Sequence, residues 1–412
     1  MNREIDNKFD VKSLNRVVCI MSYTSSASCL MSSLMDNHPN ILMFPDNVLA
    51  SFEDFWQKHC HLSFDKIILK FIEQFNTIFD ARSSKKNYQG PESGNNRGFT
   101  SMGPDRNDFL QVDVDEFQNW MKVFIDDEYP ISRKIFFQAM HLSYSKALKR
   151  KVKDPIIVFG LHSLTHPYRF SALMEDFSDV TFLTMVRNPL RASGSRFRRQ
   201  VFNGISLSHF HRMIIGLSLG GTSDIFKPSY QWRAIRMEDL HKNPEQTMRN
   251  ICNWLDLEWN NSLLQSTVNG KKWWNEKGFI QESGFSTRIS SQTYNEYLSN
   301  FDSMRLNILF VKKCISWKYK TPWWSRGIFS KLILALLLLF PFKIELITWA
   351  SLIKKIKNDN KPFLIKSILY AMVIIGGFGL GRLALIKSWF YMIKLRRKEV
   401  PLLSKEGIND FL

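Results

Sequence analysis

A chain of 412 residues with 44% hydrophobic and 14% aromatic residues has the composition of a globular protein, and it is long enough for one large domain with an appendage or for two domains. The net charge of +18 is uneven: residues 305–412 contain 20 Lys/Arg against 5 Asp/Glu, whereas the first 304 residues contain 36 against 33. This distribution excludes a uniformly basic nucleic-acid binder and indicates a local surface partner for the last quarter of the chain.

The five cysteines are odd in number, far apart and form no CxxC pair. This spacing is unlike a disulfide framework or a structural zinc site, so we expect reduced thiols and no metal centre. The first sixteen residues contain no apolar stretch of the kind found in secretory signals. We therefore expect a cytoplasmic location, or an equivalent reducing compartment, for the first domain.

The first element in chain order is a short apolar strand at residues 17–20, which enters a hydroxyl-rich turn in MSYTSSASCLMSSLMDNHPNI (residues 21–41). An apolar helix pattern follows and stops at His38-Pro39. A strand, a tight turn and a helix N-terminus together form a cradle for anions, because the free N–H groups of the first helical turn point outward at one spot. The turn nevertheless contains no glycine, lysine or arginine.

Strands and helices then alternate along the chain. Residues 83–109 are rich in Ser, Asn, Gly and Pro, which predicts a long exposed loop or a flexible insertion, and helical periodicity returns at 110–150. DPIIVFGLHS and DVTFLTMVRNPL each predict a buried strand, PSYQWRAIRMEDL predicts a weaker one, and Asn243-Pro244 predicts a helix start. The alternation predicts an α/β fold, a central parallel sheet flanked by helices, with ligands at the carboxyl ends of its strands.

The character of the sequence changes after about residue 320, so we predict an α/β domain over residues 1–310 and a basic, helical tail over 311–412. Its uncharged runs, LILALLLLFPF (332–342) and SILYAMVIIGGFGLG (367–381), are shorter than the roughly 20 residues needed to cross a bilayer. Lysines, arginines and tryptophans flank both runs. This pattern favours a segment that lies in, or dips into, an anionic membrane surface. The alternative is a helical subdomain that packs on the core.

The strongest sign of chemistry is MVRNPLRASGSRF, where Arg187 closes a buried strand and Ser195 lies eight residues further on, in the next helix. An arginine presents a planar fork of donors that suits phosphate, and a hydroxyl adds a further donor. Together they predict a phosphate-binding site at the edge of the sheet.

Three stretches, taken in order, resemble the landmarks of the sulfotransferase family: VCIMSYTSSASCLMSSLMDNHPNI, FLTMVRNPLRASGS and IRMEDLHKNPEQTMRNICNWLDLEW. The resemblance covers about residues 16–290. It implies a P-loop NTPase-like fold and a transferase that takes its sulfuryl group from 3′-phosphoadenosine 5′-phosphosulfate (PAPS), without a metal. It also implies that Arg187 and Ser195 hold the 3′-phosphate. NGKKWW (269–274) is similar to the glycine-and-lysine loop that closes over the nucleotide in many members, which implies a nucleotide contact for Lys271.

The first landmark departs from the family pattern P-[KR]-[ST]-G-[ST]-[ST]. Aligned on His38-Pro39, that pattern falls on six residues, which the resemblance makes candidates for nucleotide binding: Thr24, Ser25, Ser26, Ala27, Ser28 and Cys29. Ser25 replaces the cation that stabilises charge on the bridging oxygen of the donor, and Ala27 replaces the glycine. Either another basic residue supplies the charge, or catalysis is weak, or the site binds nucleotide without turnover.

The general base has candidates on two segments. His162 ends the strand IIVFGLH, 25 residues before Arg187, in a setting similar to the K-T-H-x-P of cytosolic sulfotransferases, and His166 is a near alternative. An imidazole with a pKa near neutrality can accept the proton of an attacking hydroxyl. Many family members use a carboxylate instead, which makes Glu53 and Asp54 the other candidates.

The resulting hypothesis is a membrane-associated sulfotransferase. It would move a sulfuryl group from PAPS to a hydroxyl or amine of a carbohydrate or lipid-linked acceptor by in-line displacement, with no nucleic-acid partner. The competing hypothesis is a membrane-associated nucleotide-binding or scaffold protein of the same fold without turnover. A P-loop kinase is disfavoured, because the opening turn contains no G-K-[ST] triplet.

Overall fold

A computed structural model describes most of the chain. The described residues are 10–23, 25–46, 48–83, 97–125, 131–161, 167–202, 214, 216–218, 220, 231–274, 283–286, 288, 296–358, 362–375, 379, 381–393 and 398–403. The strands are β1 (Arg16–Ser22), β2 (Ile41–Leu42), β3 (Ile156–Leu161), β4 (Asp179–Val186), β5 (Gln231–Arg236), β6 (Thr267–Val268) and β7 (Lys271–Lys272).

Helices surround these strands along the whole described chain. The α-helices are α1 (Ser28–Met35), α2 (Phe52–His59), α3 (Phe64–Gln74), α4 (Val114–Ile125), α5 (Arg133–Ala147), α6 (Pro167–Asp176), α7 (Pro189–Phe202), α8 (Met237–Lys242), α9 (Pro244–Leu255), α10 (Asn300–Leu309), α11 (Val311–Ser316), α12 (Ile328–Leu337), α13 (Lys343–Lys357), α14 (Phe363–Ile375) and α15 (Gly381–Ile393). Short 3-10 helices occupy Val11–Ser13, Val48–Ser51, Asn76–Ile78, Asn261–Leu264 and Trp323–Arg326.

Five strands form one parallel sheet in the order β2-β3-β1-β4-β5. The chain leaves β1 toward β2 on one side of the sheet and leaves β4 toward β5 on the other, so the connections diverge between β1 and β4. Such a switch point opens a crevice at the carboxyl ends of the two strands. The sheet and its flanking helices confirm the predicted α/β fold.

The central strands are buried on both faces, as expected for a parallel sheet covered by helices. Val17, Cys19 and Met21 face the larger apolar cluster, which also contains side chains from α5 and α11. Val18 and Ile20 face a second cluster beneath α1 and α9. Because consecutive side chains of a strand point to opposite faces, the continuous apolar run of β1 serves both clusters.

The His-Pro pair after α1 has a structural role. His38 Nε2 donates to the Glu258 carbonyl at 2.9 Å, and Nδ1 accepts from the Asn40 N–H at 3.1 Å, so both ring nitrogens are used. Burial lowers the pKa of His38, which favours this neutral form. The ring thus joins the end of α1 to the segment after α9.

Residues 97–109 are packed against the core, unlike the exposed loop or flexible insertion predicted over 83–109. Phe99 and Met102 are fully buried, and Arg97 pairs with Asp46 at 2.7 Å beneath the surface. Trp273 Nε1 donates to the Arg97 carbonyl at 3.0 Å. These contacts pack the second half of the expected loop against the core, while residues 84–96 lie outside the described residues.

The tail is helical, as predicted, and it packs on the sheet domain. Trp317 and Val400 are buried in the same cluster as the core of the sheet, and Trp317 Nε1 donates to the Val400 carbonyl at 3.2 Å. The Ala234 N–H donates to the Pro401 carbonyl at 2.7 Å, and the Leu403 N–H donates to the Ala234 carbonyl at 2.9 Å, which extends the sheet beside β5. Side chains on both sides of the predicted boundary at residue 310 therefore share one core.

Two buried arginines organise the helices of the tail. Arg305 pairs with Asp302 and donates to the Leu337 and Phe340 carbonyls at 3.0 and 2.6 Å. Arg382 pairs with Glu345 and donates to the Leu338 and Phe340 carbonyls at 2.9 and 2.8 Å. These arginines satisfy the carbonyls that α12 leaves open at its end. Among the helices in the described residues, none is both long and apolar enough to cross a membrane.

Candidate functional site

The loop after β1 keeps the shape of an anion cradle without the usual glycine. Ser25 and Ala27 both have left-handed backbone conformations, with φ of 51° and 66°. That conformation costs a non-glycine residue roughly 1–2 kcal/mol. Ala27 directly precedes α1, and its methyl group offers no acceptor to the N–H groups of the first helical turn. The backbone therefore presents these donors at the end of the loop.

The hydroxyl groups of this loop differ in exposure. Ser26 is buried, and its Oγ lies 3.5 Å from Ser22 Oγ, while Ser25, Ser28 and Cys29 are half-buried. Thr24 lies outside the described residues. The loop can thus offer a ligand the half-buried Ser25 and Ser28 hydroxyls together with backbone N–H groups.

Arg187 follows the last residue of β4 and reaches the loop after β1. Its side chain is only 3% exposed, and Nη1 donates to the Ser25 carbonyl at 3.3 Å. The parallel register, in which Ser22 stands opposite Met185, brings the two strand ends side by side. The first two sequence landmarks therefore meet in the crevice between β1 and β4, with a buried guanidinium against the loop.

The turn after Arg187 is fixed by a helix cap. Asn188 Oδ1 accepts from the Leu190 and Arg191 N–H groups at 3.0 and 3.2 Å, and Pro189 occupies the first position of α7. Ser195 lies two turns into α7 and is half-buried. Ser193, which could have assisted Ser195, donates to the Pro189 carbonyl at 2.7 Å and is buried within the helix.

The third landmark contacts the second through Glu238. Its Oε1 accepts from the Asn188 N–H at 3.2 Å, and its Oε2 accepts from the Tyr319 hydroxyl at 2.6 Å. Burial, together with the charge of Glu238, raises the pKa of Tyr319, so the phenol stays a donor. Arg236 forms two hydrogen bonds of 2.7 Å with Asp239. No local pattern predicts the role of Tyr319, because 81 positions separate it from Glu238.

Lys271 does not join the residues of the crevice. Its Nζ donates to Asp108 Oδ1 at 2.7 Å and to the Phe109 carbonyl at 3.1 Å. The Gly270 N–H donates to Asp36 Oδ2 at 2.8 Å, and Asp36 caps the end of α1, opposite to the end that carries the loop. The left-handed Asn269-Gly270 turn thus packs the β6–β7 hairpin at the far side of α1.

Glu53 lies in a pocket beside β3 and is engaged by an arginine that sequence reasoning missed. Arg133 Nη1 donates to both Glu53 oxygens at 3.1 and 3.2 Å, and Gln57 Nε2 donates to Oε1 at 2.9 Å. The alternative carboxylate, Asp54, pairs with Arg169. Both oxygens of Glu53 are therefore already occupied by hydrogen-bond donors.

The pocket around Glu53 occupies about 360 Å³, including space open to solvent. Its apolar wall contains Phe52, Phe137, Phe159, Leu161 and Leu173, and the charged residues of its lining are Glu53, Arg133, Arg169 and Asp176. The wall ends at Leu161, directly before His162. His162 and His166 themselves lie outside the described residues.

The described cysteines fit the prediction of reduced thiols. Cys19, Cys252 and Cys314 are buried, and burial raises the pKa of Cys252 to about 11 and that of Cys314 to about 12. Within the described part of the chain, no group of three or more His, Cys, Asp or Glu is arranged to hold a metal ion. That the reaction needs no metal stays a prediction.

A family model described as the sulfotransferase family matches residues 18–261, whereas a search of curated proteins found no match. Similar solved structures include the sulfotransferase domain from the Synechococcus PCC 7002 olefin synthase, with 14% identity over 75% of this chain and 96% of that chain and a TM-score of 0.37. A second is the sulfotransferase domain from the curacin biosynthetic pathway, with 14% identity over 75% of this chain and 99% of that chain and a TM-score of 0.38. A third is the sulfotransferase STF9 from Mycobacterium avium, with 15% identity over 62% of this chain and 67% of that chain and a TM-score of 0.31. Because the family model spans more than half of the sequence and contains the loop after β1, Arg187 and Glu238, this chain belongs to the sulfotransferase family.

Proposed function

We propose that this chain transfers a sulfuryl group from PAPS to a hydroxyl or amine of a carbohydrate or lipid-linked acceptor. The observation that carries the proposal is the buried guanidinium of Arg187, 3.3 Å from the carbonyl of Ser25 in an anion-cradling loop. A buried arginine beside the N-terminus of a helix suits a ligand with several phosphate charges. Membership of the sulfotransferase family supports PAPS as this ligand.

Arg187 is also our proposed source of the positive charge that Ser25 lacks. In our proposal its guanidinium contributes positive charge to the loop as well as holding the 3′-phosphate, with the half-buried Ser195 as a second donor. A buried charge acts strongly because little water screens it. The hydroxyls of Ser25 and Ser28 and the first-turn N–H groups complete the set of donors around the leaving group.

For the general base we propose His162 rather than Glu53. His162 directly follows β3 in the sequence, and β3 is the neighbour of β1, the strand that leads into the loop. Glu53 already accepts three hydrogen bonds, two of them from Arg133. His162 would take the proton of the acceptor as its oxygen or nitrogen bonds to sulfur, while the sulfur–oxygen bond to the nucleotide breaks.

The pocket beside β3 is the proposed place of the acceptor. Its lining combines apolar side chains, of which Leu161 is the residue before His162 in the sequence, with the charged side chains of Glu53, Arg133, Arg169 and Asp176. A pocket lined by both apolar and charged side chains suits an amphiphilic acceptor, such as a lipid-linked sugar.

The first test is the affinity for 3′-phosphoadenosine 5′-phosphate, measured by calorimetry. Arg187→Ala should weaken binding by at least about 100-fold, because two charge-assisted contacts of roughly 1.5–3 kcal/mol each are lost. Arg249→Ala is the matched control, since Arg249 lies on the surface of α9 in a pair with Glu245. Absence of binding to the unmodified protein would contradict the proposal, as would equal binding by Arg187→Ala. Transfer of labelled sulfate to lipid-linked sugars then tests turnover.

A second candidate function is nucleotide binding without turnover, which the uncharged side chain of Ser25 favours. The measurement that separates the two is labelled sulfate transfer by Ser25→Lys. If the fold is intact and only charge is limiting, this variant gains activity over the unmodified chain. If both proteins bind the bisphosphate and neither transfers sulfate to any acceptor, the binding function is the correct one.

A further inference from the structure

The tail exposes far more apolar surface than the sheet domain. Among the described residues, 17 of the 21 exposed large apolar side chains lie after residue 310. Individual side chains are almost bare: Phe363 is 86% exposed and Ile328 is 78% exposed. We define the apolar face of the tail by six of them on α12 and α14, namely Ile328, Phe329, Leu336, Phe363, Leu364 and Met372. Large apolar side chains left exposed in such number within one segment are typical of a site of interaction.

The helix α12 is apolar on the side that faces away from the protein as well as on the side that faces the core. Leu334 and Leu338 point into the core, whereas Phe329, Leu332 and Leu336 recur at helical spacing on the outer side. A helix on the surface of a water-soluble domain carries polar residues on that outer side. The outer side of α12 is therefore built for an apolar environment.

Positive charge lies beside the apolar face. Lys354, Lys355 and Lys357 are exposed in the last turns of α13, and Lys366 of α14 reaches back to the Lys357 carbonyl at 3.3 Å. The segment from residue 305 onward contains 20 Lys/Arg against 5 Asp/Glu. Lysines that flank exposed aromatic and aliphatic side chains complement an anionic lipid surface, because the apolar groups enter the acyl region while the ammonium groups stay with the headgroups.

The orientation of this face is fixed by buried charges. Arg305 and Arg382 hold the end of α12 through its carbonyls and pair with Asp302 and Glu345. The helix α12 spans Ile328–Leu337, which corresponds to about 15 Å, half of the roughly 30 Å hydrocarbon core of a bilayer. A short apolar helix attached in this way fits the plane of the membrane interface.

We propose that the apolar face of the tail docks on an anionic lipid bilayer and lies in its interface, which holds the sheet domain at the membrane surface. The inference rests on the tail alone and extends the proposed function. It also predicts that the loop, Arg187 and the β3 pocket work close to the headgroups, where a lipid-linked acceptor is available.

The test is co-sedimentation of the full chain with vesicles, of phosphatidylcholine alone or containing about one-third phosphatidylglycerol. We expect binding to the anionic vesicles that falls as salt is raised. Phe363→Ser/Leu364→Ser should weaken the partition coefficient by at least about tenfold, because two nearly bare side chains lose their apolar contact. Lys354→Glu/Lys355→Glu should abolish the preference for anionic vesicles. Leu69→Ser is the matched control, because Leu69 is an exposed leucine on α3 in the sheet domain.

Three outcomes would overturn the inference. The first is no vesicle binding by a monomeric chain. The second is a lipid-free dimer that the Phe363→Ser/Leu364→Ser variant dissociates, which would show that a second copy covers the face. The third is equal, salt-insensitive binding to both kinds of vesicle. Calorimetry with 3′-phosphoadenosine 5′-phosphate, run on the same variants, distinguishes this failure from a failure of the proposed function, since the tail substitutions leave the crevice unchanged.

Discussion

Glu238 belongs to the third landmark and joins it to the second landmark and to the tail. Its replacement by alanine is expected to weaken both connections. The carboxylate accepts from the Asn188 N–H at 3.2 Å and from the Tyr319 hydroxyl at 2.6 Å. Asn188 directly follows Arg187, so the first of these bonds holds the residue next to the proposed phosphate ligand. We expect Glu238→Ala to lower both the free energy of unfolding and the affinity for nucleotide.

The magnitude follows from the two hydrogen bonds. A hydrogen bond to a charged group contributes roughly 1.5–3 kcal/mol, so their joint loss amounts to about 3–6 kcal/mol. Glu238 is half-buried, and water that enters its place offsets part of this loss, so we expect about 3 kcal/mol. Tyr319→Phe removes only one bond and is expected to cost about 1.5 kcal/mol.

The assay is urea unfolding followed by circular dichroism, in a double-mutant cycle that combines Glu238→Ala with Tyr319→Phe. The coupling free energy between the two positions should be at least about 1 kcal/mol, because each variant breaks the same hydrogen bond. Calorimetry should show that Glu238→Ala weakens binding of 3′-phosphoadenosine 5′-phosphate by about tenfold or more through the loosened Arg187 turn. Glu245→Ala, an exposed carboxylate on α9, is the control and should change stability by less than about 0.5 kcal/mol.

A coupling free energy below about 0.3 kcal/mol, the limit for independent sites, would refute a stabilising hydrogen bond between Glu238 and Tyr319. The expected effect on the nucleotide would be refuted if Glu238→Ala lost stability and yet bound the nucleotide as tightly as the unmodified chain. In that case Glu238 would only join the tail to the sheet and would not position Arg187.

Other contacts yield further predictions. Burial lowers the pKa of His141 to about 4, so below about pH 6.5 the unfolded chain binds a proton that the folded chain does not bind. The free energy of unfolding is therefore at its full value above that pH and falls by about 3 kcal/mol toward pH 4. Urea unfolding of the His141→Phe variant should not show this fall. Arg382→Met removes the buried partner of Glu345 and should cost about 3–5 kcal/mol, seen as earlier urea unfolding and faster proteolysis of the tail, whereas unchanged unfolding would show that the pair does not hold the tail. Ala27→Gly relieves a left-handed alanine and should raise the unfolding free energy by about 1 kcal/mol in the same assay; a loss of stability would contradict the strain at this position. Lys271→Ala should change the nucleotide affinity measured by calorimetry by less than about twofold, since Lys271 pairs with Asp108 away from the crevice. A loss of affinity above about tenfold would show that Lys271 contacts the nucleotide.

The sequence predicted the sheet and the place of Arg187 at its carboxyl edge because those signals are local. Continuous apolar runs predicted β3 and β4, and a strand that ends in Arg187 can place this side chain only at the carboxyl edge of the sheet. The parallel register then brings Arg187 to Ser25 without further information. The structure shows this contact, whereas the roles of both residues toward a ligand stay proposals.

The contacts of Lys271 and Glu53 depend on partners that are distant in sequence. Lys271 carries the composition of a nucleotide loop, but a hydrogen bond from Gly270 to Asp36, 234 positions away, directs its hairpin to the other end of α1. Glu53 is a plausible base on its own helix, and only the fold brings Arg133 onto it. No local pattern encodes such pairs, because each partner alone is an ordinary charged residue on an amphipathic helix.

The contacts of Trp317 with Val400, and of Ala234 with residues 401–403, have a topological consequence. Residues 318–399 leave the sheet domain and return to it at nearly the same point, so this stretch is an insertion closed at its base rather than an appendage hanging from one end. Both ends of the insertion lie beside β5, since the Lys318 carbonyl accepts from Arg236 at 3.2 Å and residues 401–403 pair with Ala234. That strand ends at Arg236, two residues before Glu238, so the base of the insertion adjoins the residue that accepts from both Asn188 and Tyr319.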